Sequence, residues 1–166
     1  MATEQELMKS EHDTKLHQLI VNALMLSIIE ALIKRTYAHD ESKLESPEIE
    51  IFAKYGPKLK DTEYGSDEYK QFLAEMKPAL EHHYANNRHH PEHHEAGIND
   101  MTLIDIIEMF ADWIAATKRM KDWGNFYKSL AVNKTRFGMS DQLSVIFANT
   151  FESPAFQEVL DVTKTR

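Results

Sequence analysis

Residues 19–33 read LIVNALMLSIIEALI, the most apolar stretch of the chain. From about Lys15 to Tyr37, apolar side chains recur at the spacing of one helical face, and others widen that face, so we expect a helix that is largely buried. Asn22 and Glu30 interrupt the run, which is shorter than a membrane span. The stretch therefore predicts a core helix. The residues that define its main apolar face are Leu16, Ile20, Ala23, Leu24 and Ala31.

The composition is typical of one helical domain over residues 1–166, a length that suffices for a single core. Only five Gly and five Pro occur, and no stretch alternates at period two, so a many-turned β architecture is not expected. The pattern predicts an all-α protein of about five to seven helices. One further helix is expected to begin at a cap at Ser46, a second to span about 66–90, and a third to run from a cap at Asn99 or Asp100 to about 124. Short helices are expected at about 125–131, 140–149 and 153–162 within a helical tail over 125–166, and loops at 54–67 and 91–100.

Several functional classes are excluded or disfavoured by composition. The chain has no Cys, which rules out disulfides, thiolate metal sites and Cys nucleophiles. A metal would need His, Asp, Glu or water. The formal net charge of −8 argues against an extended nucleic-acid surface. The first residues, MATEQELMKSEHD, lack a signal-peptide profile, so we expect a cytoplasmic protein without a membrane partner.

Residues 81–95, EHHYANNRHHPEHHE, hold six of the nine His residues. On a helix that continues to Pro91, His83 and His90 lie two turns apart on one face, and His89 and His90 interact favourably with the helix dipole. Such density suits metal binding, although the spacing matches no zinc signature, and a solvated, pH-sensitive turn is the alternative. Which of His82 and His83, and which of His89 and His90, would bind stays open.

A second group consists of three carboxylates on one helix. Asp105, Glu108 and Asp112 follow the spacing i, i+3 and i+7, which places them on one side. They repel one another unless water or a cation intervenes, and a solvated acidic face is the alternative. Asp112 stands beside Trp113 and other apolar residues, so it is the strongest functional candidate and Asp105 the weakest. Trp113 itself is expected to pack in the core.

The third group is the adjacent pair His39-Asp40, with Lys43 three residues on. Imidazole and carboxylate suit Mg²⁺, Mn²⁺, Fe²⁺ or Zn²⁺, and a carboxylate in such a pair can bridge two ions while the imidazole holds one. The dipeptide is common by chance. Its significance comes from His17 upstream, and from the histidine segment and Asp112 downstream.

That order of residues resembles the HD-domain superfamily of metal-dependent phosphohydrolases. More closely, three motifs resemble a small HD-like family of unknown function found in phages and bacteria. The resemblance spans roughly residues 14–120 and implies an HD-like helical bundle with its core at about 14–124. The motifs are AHDESK at 38–43, HHYANNRHHPEHH at 82–94 and IEMFADWIAA at 107–116.

The resemblance also implies an activity and a set of residues. Metal-activated water would attack the phosphate ester of a small molecule, with a nucleotide the leading guess. One or two divalent ions are implied, and Mn, Fe, Mg, Co and Zn are not distinguished. The first ion would be held by His17, His39, Asp40 and Asp112, and a second by His83 with His89 or His90. Lys43 and Arg88 would contact phosphate, and Glu48 would serve as proton acceptor or outer-shell partner.

The distance between two of the implied ligands, His17 and His39, conflicts with binding of one ion by both. His17 and His39 are 22 residues apart, which is about 33 Å on an unbroken helix. Either the chain turns between them or His17 is not a ligand. We expect the turn, because the resemblance implies two helices here, and Ser27 to Ile29 is the only weak point, since no Gly or Pro lies between the two histidines.

Two other functions use the same residues. One is an HD-type di-iron oxygenase, and the other is a non-enzymatic interaction protein whose histidines bind metal or sense pH. An NTP-binding P-loop is excluded by the missing Gly-rich loop. The pattern is compatible with an oligomer.

Overall fold

The computed structural model describes residues 1–62, 66–118 and 125–164, which contain seven α-helices. Short 3-10 helices lie at Glu41–Leu44, Pro91–His93 and Gly97–Asp100. Within these described ranges there is no strand, so the predicted all-α fold is confirmed. The α-helices are α1 (Glu4–Ala38), α2 (Glu48–Asp61), α3 (Asp67–Asn86), α4 (Leu103–Lys118), α5 (Phe126–Phe137), α6 (Asp141–Phe151) and α7 (Pro154–Lys164).

The backbone divides into two compact units. The first, Met1–His39, contains α1, and the second, Asp40–Arg166, contains the other helices. The single domain over residues 1–166 stays a prediction.

In the first unit, α1 is one unbroken helix of 35 residues. A capping box starts it well before Lys15, because the Thr3 hydroxyl accepts from the Glu6 backbone N–H and the Glu6 carboxylate accepts from the Thr3 N–H at 2.7 Å. The turn predicted near Ser27–Ile29 is wrong. With no Gly or Pro in that interval, β-branched side chains alone do not break the helix.

No residue of α1 is buried, so its prediction as a core helix is also wrong. Leu19 and Leu24, at the centre of the apolar run, are 66% and 62% exposed. Among the described residues this is the one helix long and apolar enough to cross a membrane by length and composition alone. The absence of a membrane partner stays a prediction.

In the second unit, α4 to α7 enclose an aromatic core. The Phe110 ring on α4 lies 5.9 Å from the Phe126 ring and 4.7 Å from the Phe147 ring. Trp113 is buried and stacks on Phe137 with an interplanar angle of 14°. The packing role predicted for Trp113 is therefore confirmed, and the core fixes α4, which carries the acidic residues.

The helix ends near the histidine segment differ from the prediction. The segment around Gly56-Pro57, expected as a loop, lies inside α2, and Ser46 is not the N-cap, because Pro47 occupies that position. Helix α3 ends at Asn86 instead of continuing to Pro91. Asn87 leaves the helix because its side-chain amide donates to Ser42 Oγ at 2.7 Å. The residues from 88 to 90 therefore form a turn, and the expected dipole interaction of His89 and His90 is lost.

The start of α4 is capped by Thr102, not by Asn99 or Asp100 as predicted. The Asp105 carboxylate accepts from the Thr102 backbone N–H at 2.9 Å and from Arg88 at 3.3 and 3.2 Å. Burial alone would raise the pKa of Asp105, but the hydrogen bonds from Thr102 and Arg88 lower it to about 2. The end predicted for this helix near Gly124 lies outside the described residues.

We expect Asp105→Asn to destabilise the protein by about 2 kcal/mol at neutral pH, because the pKa of Asp105 is lowered from 3.8 to about 2. A lowered pKa stabilises the fold above the ordinary pKa, and this contribution disappears as pH falls through about 2. Urea denaturation from neutral pH down to about pH 2 measures how the free energy of unfolding depends on pH. Asp13→Asn, at an exposed position, serves as control. If the free energy of unfolding changed with pH in the same way for the wild type and Asp105→Asn, the stabilising role of Asp105 would be contradicted.

Candidate metal centre

Four residues of the second unit bring their ligand atoms together. Asp40, His83, His89 and His90, here called the Asp40 cluster, each offer one atom, and these atoms lie within 4.8 Å of one another. Asp40 precedes the 3-10 helix Glu41–Leu44, His83 lies in the last turn of α3, and the other two follow in the turn after it. His83 and His89 are buried, and Asp40 and His90 are half-buried.

The Nε2 atoms of the cluster converge on one carboxylate oxygen. Asp40 Oδ1 lies 3.4 Å from His83 Nε2 and 3.6 Å from His89 Nε2. His83 Nε2 and His90 Nε2 are separated by 2.9 Å. One oxygen and three imidazoles therefore surround a common point.

The opposite edges of two imidazoles meet carboxylates. His83 Nδ1 lies 2.8 Å from Glu48 Oε2, and His89 Nδ1 lies 3.1 Å from Glu108 Oε1. An ionised carboxylate only accepts hydrogen bonds, so each Nδ1 must carry the proton. In a neutral imidazole this leaves a lone pair on Nε2, which lies near Asp40 Oδ1 in both residues and, in His83, also lies 2.9 Å from His90 Nε2.

Burial and nearby charge favour the neutral form of two imidazoles of the cluster, His83 and His90. Burial, followed by the Lys43 charge, lowers the pKa of His83. Burial, together with His89 and His83, lowers the pKa of His90 to about 3. Lone pairs that face a carboxylate oxygen repel it, and a cation between them reverses the sign of the interaction. This donor set of neutral nitrogen and anionic oxygen is suited to a divalent metal ion.

Glu48 is completely buried and joins two histidines. Its second oxygen, Oε1, lies 2.7 Å from His82 Nδ1. As the first residue of α2, it occupies a helix end at which free N–H groups favour negative charge. The Asn87 side-chain amide also contacts His83, because it donates to the backbone carbonyl of His83 at 2.8 Å. These contacts fix the orientation of the His83 ring.

Asp40 has an unusual backbone. Its φ of 59° and ψ of 15° lie in the left-handed region, which Asp tolerates better than most residues and which is frequent at functional sites. Lys43 Nζ contacts Asp40 Oδ2 at 2.5 Å. One carboxylate oxygen thus faces an ammonium group while the other faces the imidazoles.

The acidic face of α4 contributes two residues. Glu108 contacts His89, as described, and Asp112 has a carboxylate oxygen within 4.8 Å of one of Asp40. The predicted proximity of Asp40 and Asp112 is therefore confirmed. The role of Glu108 was underrated from sequence, although its position one turn before Asp112 on the same face was the available signal. Asp105, expected to be the weakest candidate, has the structural role described above.

The remaining predicted site residues are His17, His39 and Arg88. His39 is half-buried and ends the first unit as the C-cap of α1. His17 is exposed on the same helix, 22 residues earlier, which corresponds to about 33 Å. In one chain these two residues cannot bind the same ion, so that part of the predicted ligand set is wrong. Arg88 donates to Asp105, and its contact with phosphate stays a prediction.

A family model described as "Family of unknown function (DUF5662)" matches residues 6–155. The chain belongs to this family. The match includes every residue of the Asp40 cluster as well as Glu48, Glu108 and Asp112. No curated protein and no solved structure matches the chain. The function of this DUF5662 chain must therefore be argued from the chemistry of the cluster.

We expect Glu48→Gln to destabilise the fold by about 1–3 kcal/mol, because a carboxamide has one acceptor oxygen for two imidazole N–H donors and leaves a buried group without a matching partner. Chemical denaturation of the metal-free protein measures this difference. Glu50→Gln, an exposed position on the same helix, is the matched control. Equal stability of the two variants would contradict the role assigned to Glu48.

Proposed function

We propose that this DUF5662 chain is a metal-dependent phosphohydrolase of the HD type, acting on a phosphate ester of a small molecule. One observation carries the proposal. Two buried imidazoles turn their Nδ1 edges to carboxylates and their Nε2 edges to a shared Asp40 oxygen. Carboxylate–histidine–metal arrangements have this pattern, since the carboxylate selects the tautomer and makes the imidazole a better ligand.

The residues of the Asp40 cluster would hold the ion, and Asp112 is close enough to Asp40 to contribute. His39 remains a ligand implied by the HD resemblance. A divalent ion supplies a Lewis acid for phosphoryl oxygens and lowers the pKa of water toward neutrality. Mn, Fe, Mg, Co and Zn all remain compatible with nitrogen and oxygen donors, with one or two ions.

Other side chains have supporting roles. Lys43, whose side chain is 34% exposed, provides an ammonium group beside Asp40 that suits a phosphate oxygen. Glu48 is buried and contacts two histidines, which favours the outer-shell role over that of a proton acceptor. Arg88 pairs with Asp105 through its guanidinium group, and its side chain is 46% exposed, so a contact with phosphate stays a prediction. A nucleotide is the leading substrate class, and the protein is expected in the cytoplasm.

The test combines metal analysis with a phosphatase screen. Protein purified without chelator is expected to retain a divalent metal and to release phosphate from at least one nucleoside mono-, di- or triphosphate with Mn²⁺, Co²⁺ or Mg²⁺. His83→Ala and His89→Ala should each lower metal affinity at least 10-fold and abolish turnover, because each removes a ligand. The exposed His17→Ala is the matched control and should retain both properties.

Wild-type protein that holds no metal and releases no phosphate would refute the proposal. Metal retention and turnover by His83→Ala at the wild-type level would refute it equally. Bound iron with O₂ consumption and no phosphate release would instead favour the di-iron oxygenase.

A further inference from the structure

The first unit presents an apolar surface around the whole circumference of α1. Thirteen large hydrophobic side chains of this helix are exposed. A helix that is apolar on all sides is covered in its functional state, either by protein or by lipid. The exposed side chains are Leu7, Met8, Leu16, Leu19, Ile20, Val21, Leu24, Met25, Leu26, Ile28, Ile29, Ile33 and Tyr37.

By length and composition alone α1 could cross a bilayer, but the placement of its charges argues against a bilayer as its cover. Its uncharged stretch, 16–29, is about 21 Å long, whereas the hydrocarbon core of a bilayer is about 30 Å thick. Lys15 and Glu30 border that stretch, so a spanning helix would carry charge into the hydrocarbon. Gln18 and Asn22 add polar groups within it. Protein is therefore the better cover.

Two ion pairs of α1 are placed symmetrically about one point of the helix. Glu11 pairs with Lys15 at 2.5 Å on one side of the uncharged stretch, and Glu30 pairs with Lys34 at 2.8 Å on the other. The midpoint lies just after Asn22. If two copies of α1 run antiparallel about this point, Glu11 lies level with Lys34 of the second copy. Lys15 then lies level with Glu30 of the second copy, whereas a parallel pair would bring like charges level.

We propose that α1 pairs antiparallel with α1 of a second copy of this chain and so forms a homodimer. The Asn22 side chains of the two copies lie at nearly the same height, where a pair of buried amides can specify orientation and register. A strip as long as this 35-residue helix, about 52 Å, and as wide as a helix, about 10–12 Å, covers about 500–600 Å² on each copy. The total of about 1,000–1,200 Å² lies at the lower end of stable interfaces.

The absence of native Cys permits a direct distance measurement in the full chain. Gln18→Cys and Lys9→Cys, both exposed polar positions, each receive one nitroxide label. In the antiparallel dimer, equivalent Gln18 positions are separated by about 14 Å along the axis and equivalent Lys9 positions by about 40 Å. Double electron–electron resonance should therefore report a short distance for the first variant and a long one for the second.

A charged side chain introduced into the proposed interface of α1 tests the same dimer through the molecular mass of the protein in solution. Leu26→Glu, on the face of α1 that carries Lys15, Asn22 and Glu30, is expected to weaken dimerisation at least 10-fold in analytical ultracentrifugation. Val132→Glu, at an exposed apolar position on α5, should leave the dimer intact. A wild-type monomer at 100 µM, short distances at both labelled positions, or a monomer that binds neutral lipid vesicles through α1 would each overturn the proposal.

Discussion

The candidate site depends on one constraint, the hydrogen bonds that Glu48 and Glu108 accept from His83 and His89. Each carboxylate meets the Nδ1 edge of its histidine and thereby assigns the proton to that edge. Both Nε2 lone pairs then face Asp40 Oδ1 at 3.4 and 3.6 Å. Buried lone pairs and an anionic oxygen at such distances repel one another, so a cation bound among them would stabilise this part of the structure.

The fold brings these groups together from separate segments. Glu48 begins α2, His83 lies in the last turn of α3, and Glu108 lies on α4, which the aromatic core around Phe110 holds in place. Asp40 begins the second unit and adopts a left-handed backbone. Neither carboxylate lies in the same segment of the chain as its histidine. The hydrogen-bonded pairs Glu48–His83 and Glu108–His89 therefore require the packed second unit and not only the His-rich segment.

The sequence predicted the fold class and part of the site. Helical periodicity and the scarcity of Gly and Pro were sufficient for an all-α fold. Residue chemistry singled out the His39-Asp40 pair, the histidine segment and Asp112, whereas the choice of His83 came from the HD resemblance. The predicted turn in α1 failed because it came from a resemblance, while the local sequence contains no helix breaker. The end of α3 depends on a hydrogen bond from Asn87 to Ser42, 45 residues away, which no local pattern encodes. The contact of Glu108 with His89 likewise required the tertiary fold.

The tautomers of His83 and His89 test this account most directly. Long-range ¹H–¹⁵N NMR spectra of the metal-free protein at neutral pH distinguish a protonated Nδ1 from a protonated Nε2. We expect both residues to carry the proton on Nδ1, and zinc titration should shift their Nε2 signals while the exposed His12 and His17 remain unchanged. Protonated Nε2 atoms at both residues, with no response to zinc, would contradict the account.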